Sequence, residues 1–116
     1  MNAHTRRAVA YIAGNAVSAT KSSSVYDYEA KRHFMFSLNT QGENYSAYDF
    51  EQRCHVGGTI PSLYHYGNGN HLTLNLAPSG FSGYDYESGK HFSGTVSGNA
   101  VSLYDYEDGK YRNYAT

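Results

Sequence analysis

The sequence predicts an all-β protein. Its form is an antiparallel meander of about ten strands built from repeated Ser-x-Tyr-Asp-Tyr hairpins, closing as a β-barrel or a two-sheet β-sandwich. Three observations carry this. Ser102-Leu103-Tyr104-Asp105-Tyr106 has four earlier versions: Ser24-Val25-Tyr26-Asp27-Tyr28, Ser46-Ala47-Tyr48-Asp49-Phe50, Ser62-Leu63-Tyr64-His65-Tyr66 and Ser82-Gly83-Tyr84-Asp85-Tyr86. Each version runs into a polar turn: Glu29-Ala30-Lys31, Glu51-Gln52-Arg53, Gly67-Asn68-Gly69, Glu87-Ser88-Gly89 and Glu107-Asp108-Gly109. Finally, no stretch offers a convincing apolar run at i, i+3, i+4 and i+7, so little or no helix is expected.

Taken in order, Met1 to Arg7 is polar and expected to be loose. Val9 to Ala13, Gly14-Asn15 and Ala16 to Thr20 read as a first hairpin, with Gly and Asn supplying the turn. Support for a turn comes from Gly98-Asn99-Ala100-Val101-Ser102, which repeats Gly14-Asn15-Ala16-Val17-Ser18 residue for residue. Ala19 to Ser24 is an extra polar stretch, readable as a bulge, a strand extension or an edge loop. From Ser24 onward hairpins alternate with return links at Asn39 to Glu43, Gly57 to Pro61, Ala77 to Gly80 and Ser97 to Asn99. The 116 residues form one domain, long enough to bury a core.

Register follows from the turns. Gly at the third position of three of them suits a three-residue turn ending in a left-handed residue. That count sets Asp27 opposite His33, Asp49 opposite His55, His65 opposite His71, Asp85 opposite His91 and Asp105 opposite Tyr111. It also sets Tyr26, Tyr48, Tyr64 and Tyr84 opposite Phe34, Val56, Leu72 and Phe92. Because side chains alternate between faces, the two sets lie on opposite faces. The Tyr face, with more apolar area, is the expected core. The Asp/His face also carries Val25, Met35, Ala47, Leu63, Val101 and Leu103, which invites a second buried contact such as a subunit interface.

Composition narrows the function. A formal net charge of −1, with 16 % charged residues and no cationic cluster larger than two, argues against nucleic-acid binding. No apolar run approaches a membrane span, and Cys54 is alone, so no membrane partner and no disulfide framework are expected. The absence of a signal-like segment gives a cytoplasmic expectation. No Gly-x-Ser-x-Gly elbow is present, and Cys54 and His55, adjacent on a strand, point to opposite faces, which argues against a nucleophilic dyad. No zinc-type spacing appears, so no cofactor or metal is expected.

The five predicted cross-strand pairs, Asp27–His33, Asp49–His55, His65–His71, Asp85–His91 and Asp105–Tyr111, are the candidate ligand-binding residues. Their repetition in every hairpin favours a scaffold role over catalysis, which needs one constellation in one pocket. The sequence is therefore read as a small, soluble, non-enzymatic protein acting by binding or self-association as a homo-oligomer. The alternative is a barrel that binds a carbohydrate or small ligand through Tyr, Asp and His near the rim of hairpin tips. Glu29, Lys31, Glu51, Arg53, Glu87, Lys90, Glu107, Asp108 and Lys110 would give that rim mixed charge.

Overall fold

A computed structural model describes all 116 residues. The chain opens with a helix, α1 (Ala3–Ser18), where a hairpin was expected. Asn2 caps it, its side chain accepting the Thr5 N–H at 3.0 Å, and left-handed Ala19 ends it. Thus Met1 to Arg7, read as loose, hold the cap and first turn, and Met1 is buried. Ala8 through Ala13 have no exposed surface at all, because strands surround the helix on every side. A helix that is buried all round needs no apolar stripe, and the spacing of Val9, Ile12, Ala13 and Ala16 is masked by the apolar residues between them.

Eleven strand segments follow: β1 (Ser24–Asp27), β2 (Arg32–Gln41), β3 (Asn44–Asp49), β4 (Cys54–Thr59), β5 (Ser62–His65), β6 (Asn70–Thr73), β7 (Asn75–Ala77), β8 (Gly80–Asp85), β9 (Lys90–Ser97), β10 (Ala100–Asp105) and β11 (Lys110–Ala115). β6 and β7 pair with β8 in one register, Leu72 opposite Asp85 and Asn75 opposite Ser82, and so act as a single strand interrupted at Leu74. Every strand is antiparallel to its sequence neighbour, and β1 closes onto β11 with Tyr26 opposite Ala115. The result is a closed ten-stranded meander barrel. A ten-stranded barrel is wider than its own side chains fill, and α1 occupies the space.

The hairpin tips hold four residues, one more than the three-residue reading. Asp27 faces Arg32, His65 faces Asn70, Asp85 faces Lys90 and Asp105 faces Lys110. Gly109 N–H donates to Asp105 O at 2.9 Å, and Gly89, Gly69 and Lys31 close their own turns likewise. The last tip residue is left-handed in all five: Lys31, Arg53, Gly69, Gly89 and Gly109 have φ between 56° and 71°. One extra tip residue shifts the pairing by one. It also reverses the faces.

The inward face is therefore the one that carries Asp. Val25, Ala47, Leu63, Val101 and Leu103 are buried against α1 together with Phe34, Phe36 and Phe92. The aliphatic stripe read as a subunit contact is the core of the barrel, except for Met35, which faces outward and is 52 % exposed. Tyr26, Tyr48, Tyr64, Tyr84 and Tyr104, expected in the core, lie outside and are half-buried. Gly83 and Gly94 face inward, and the rings of Phe92 and Phe81 lie where their Cβ atoms would be. Both rings need the missing side chain to fit between barrel wall and helix.

Candidate functional site

Asp27, Asp49, His65, Asp85 and Asp105 end the outgoing strand of each hairpin and form a buried ring inside the tip end of the barrel. In each Asp one oxygen caps the turn. Asp27 Oδ1 accepts the Glu29 and Ala30 N–H groups at 2.9 and 3.1 Å, and Asp49 Oδ1 takes those of Glu51 and Gln52. Asp85 and Asp105 accept one N–H each, from Glu87 and Glu107. In Asp105 and Asp27 the second oxygen meets the N-terminal segment and first turns of α1. Arg6 reaches Asp105 at 3.3 Å and Arg7 reaches Asp27 at 3.4 Å, with the Met1 amino group 3.1 Å from Asp105. The Arg7 and Arg32 guanidinium groups lie 3.8 and 3.9 Å from the centre of the Phe34 ring. The positive end of the helix thus sits within a ring of carboxylates, the stable sense for its dipole.

His65 takes the place of Asp in the third tip, and its surroundings differ. The Asn68 N–H donates to His65 Nδ1 at 3.1 Å. The ring stands edge-on to His4, with centroids 5.2 Å apart. Asn68 ties the tip to the helix, its Oδ1 lying 2.7 Å from His4 Nε2 and its Nδ2 donating to Thr5 Oγ1 at 2.8 Å. His65 Nε2, Asp85 Oδ2 and Arg6 Nε are buried without partners. Burial pushes the His65 imidazole below its ordinary value; the His4 charge adds to this, and Asp49 and Asp85 oppose it.

The cross-strand pairs expected from the sequence do not form. His33, His55, His71, His91 and Tyr111 face outward and are exposed, whereas Asp27, Asp49, His65, Asp85 and Asp105 point into the barrel. The partner of each outward residue is the Tyr of its own hairpin. Ring centroids are 4.8 Å apart for Tyr26–His33, Tyr48–His55 and Tyr84–His91, and 4.7 Å for Tyr64–His71 and Tyr104–Tyr111. The first tip residue completes each group edge-on, Tyr84–Tyr86 at 4.8 Å and Tyr104–Tyr106 at 4.7 Å. Five aromatic triplets therefore ring the outside of one rim. Tyr28, Phe50, Tyr66, Tyr86 and Tyr106 are each more than half exposed.

Grooves run between neighbouring triplets. One, of about 450 Å³, has Tyr84, His91 and Tyr106 as aromatic walls and Asn75, Ser82 and Ser93 as polar lining. The next, of about 380 Å³, is lined by His71 and Tyr86 with Ser62, Gly69 and Asn70. Thr73 belongs to both, and the Tyr84–Tyr86 pair forms the ridge between them. A further hollow of about 400 Å³ lies at the other end of the barrel, against Asn15, Ala16, Lys21, Leu38 and Tyr45.

Elsewhere the side chains offer little reactive chemistry. Burial and the Asp49 charge push the Cys54 thiol up, away from the reactive thiolate. Burial pushes the Tyr114 hydroxyl up to about 12, so it stays protonated. No cluster of three or more His, Cys, Asp or Glu side chains is placed to hold a metal ion. No helix is long and apolar enough to cross a membrane.

Sequence reasoning missed His4, Asn68 and the roles of Arg6 and Arg7, since nothing local links residues some sixty positions apart in the chain. The signal that was present lay in the Asp itself. An Asp that caps the N–H groups two and three residues ahead opens a turn, and so belongs to the strand end. Comparison with family models, with curated protein sequences and with solved structures finds no match, so function is argued from this geometry.

Proposed function

We propose that this is a non-enzymatic binding protein whose ligand is a carbohydrate held outside the barrel, in the grooves between neighbouring aromatic triplets. The observation that carries the reading is the Tyr84–His91–Tyr106 groove. It joins exposed aromatic surface to the hydroxyl and amide groups of Ser82, Ser93 and Asn75 within one groove of about 450 Å³. A sugar presents that pair of needs: C–H faces that pack on aromatic rings, and hydroxyls that need hydrogen-bond partners. The second groove at His71 and Tyr86 supports weak sites acting together on a repeating ligand.

The inner ring supports the non-enzymatic part. Its four Asp side chains cap turns, and two of them pair with helix arginines; α1 fills the space that a barrel would otherwise offer to a ligand. Self-association loses the argument that first favoured it, because all of the aliphatic stripe but Met35 lies inside. The mixed charges at the tips, with Arg32 bound to Glu51 at 2.5 Å and Arg112 to Asp108 at 2.6 Å, speak against a polyanionic partner.

A glycan array followed by calorimetry on the hits tests the reading. The parent should bind one glycan class, and Tyr106→Ala and Ser93→Ala should each weaken binding at least tenfold with little change in Tm. Failure of the parent to bind any glycan overturns it, as would outer-groove variants that bind like the parent.

A further inference from the structure

We propose that His65, Asn68 and His4 form an acid-sensitive latch that holds the third hairpin tip to the central helix and lets go as the pH falls. The argument starts from a backbone donor. The Asn68 N–H has one proton and no alternative state, so the ring nitrogen it meets at 3.1 Å must be an unprotonated acceptor. The single proton of the neutral ring is then on Nε2, which is buried and has no partner. Taking up a second proton puts N–H against N–H at Nδ1 and removes the cap of the turn.

The other tips cannot fail in this way. Asp27, Asp49, Asp85 and Asp105 cap with carboxyl oxygens, and a carboxyl group offers an acceptor oxygen with or without a proton. The tips of Asp105 and Asp27 are further held to the helix by Arg6 and Arg7, which stay charged. The third tip instead depends on Asn68, which carries the contacts to His4 and Thr5. If its turn opens, those contacts go with it.

The titratable groups facing His65 come from four elements: His4 of α1, Asp49 of β3, Cys54 of β4 across Gly67, and Asp85 of β8. Asp49 and Asp85 favour the charged ring, whereas burial and His4 disfavour it and prevail. The folded value therefore lies below the unfolded one, near 6.5. Stability from the neutral ring is present in full above that unfolded value. It is lost as pH falls to and through the folded value.

A consequence reaches the outer surface. The third tip supplies Gly69 and Asn70 to the groove of about 380 Å³, whereas the Tyr84–His91–Tyr106 groove takes nothing from it. Selective loss of binding at the His71–Tyr86 groove on acidification rests on the carbohydrate reading above; the latch itself does not.

Amide hydrogen exchange followed by NMR from pH 7.5 to 5, corrected for intrinsic rates, tests the latch without any ligand. The Asn68 amide should lose protection by up to about tenfold per pH unit, the slope set by one proton taken up on opening. The Glu29 and Glu107 amides, capped by Asp, should hold theirs. His65→Asn keeps an acceptor that takes no proton and should abolish the dependence, while His4→Gln should retain it. The imidazole nitrogen shifts of the parent provide a check that needs no variant: the Nε2–H tautomer, with a midpoint below 6.5. Flat Asn68 protection, a His65→Asn profile like the parent's, or a midpoint at or above the ordinary histidine value overturns the proposal.

Discussion

The two faces of each hairpin are made of neighbouring residues and have opposite fates. Tyr104 and Asp105 are adjacent, yet the ring stands at the outer rim against Tyr106 and Tyr111 while the carboxylate is buried beside Arg6. The inner face is fully committed, since its side chains pack on the helix or hold it by charge. The outer aromatic rings instead pack chiefly on rings of their own hairpin. Inner substitutions should thus cost stability and outer ones binding, a division that can be broken by experiment.

The largest effect is expected at Phe36→Ala. The Phe36 ring is 1 % exposed and stacks on Tyr11 at 4.7 Å, where barrel wall and helix meet. Truncation should lower stability by about 3–5 kcal/mol, read from urea unfolding. A loss under about 1 kcal/mol would mean that the helix is not held inside the barrel.

Asp27 comes next, because its two oxygens do different jobs. Asp27→Ala removes both the turn cap and the nearer carboxylate of the buried Arg7 guanidinium, which keeps only Glu51 at 3.7 Å, at a cost of about 2–3 kcal/mol. Asp27→Asn keeps the cap oxygen and should cost clearly less, because only the charge is lost. Equal losses would assign the whole role of Asp27 to Arg7.

These inner contacts were only partly legible beforehand. The repeated unit and its turns revealed strands, hairpins and a meander, because each tip carries its own local signal. The faces were not legible, since a left-handed residue such as Gly109 fits a three- or four-residue turn, and the choice reverses every side chain. The helix was hidden twice. Its core, Ala8 to Ala13, is apolar without a period. Its end copies a turn: Gly14 to Ser18 is helical, whereas the identical Gly98 to Ser102 forms a turn and the start of β10. Environment decides between them, for Gly14 packs closely on Val101 and Thr116, whereas Gly98 faces open space at φ 60°. Of the site, the residue types were visible but their pairing was not.

Tyr86→Ala addresses the outer face. The ring is 58 % exposed and touches Tyr84 edge-on, so its loss should cost about 1 kcal/mol or less. Glycan binding should nevertheless fall, since Tyr86 lines one groove and its partner Tyr84 the other. A destabilisation as large as that of Phe36→Ala would end the distinction between the faces.

The smallest effect is expected at the tip of the fifth hairpin, where the exposed Asp108 side chain meets Arg112 at 2.6 Å. Hydrogen bonds from Arg112 hold the Asp108 carboxyl down to about 2, below its ordinary value of 3.8. A folded value below the unfolded one means that the stabilisation is present above about 4 and lost as pH falls through about 2. An exposed pair is screened by water and salt, so Asp108→Asn should cost less than about 1 kcal/mol at neutral pH. The variant should also unfold less steeply than the parent between pH 4 and pH 2 in an acid titration. Because Asp108 touches neither helix nor groove, it separates rim charge from both faces: binding that changes in Asp108→Asn would extend the site onto the hairpin tips.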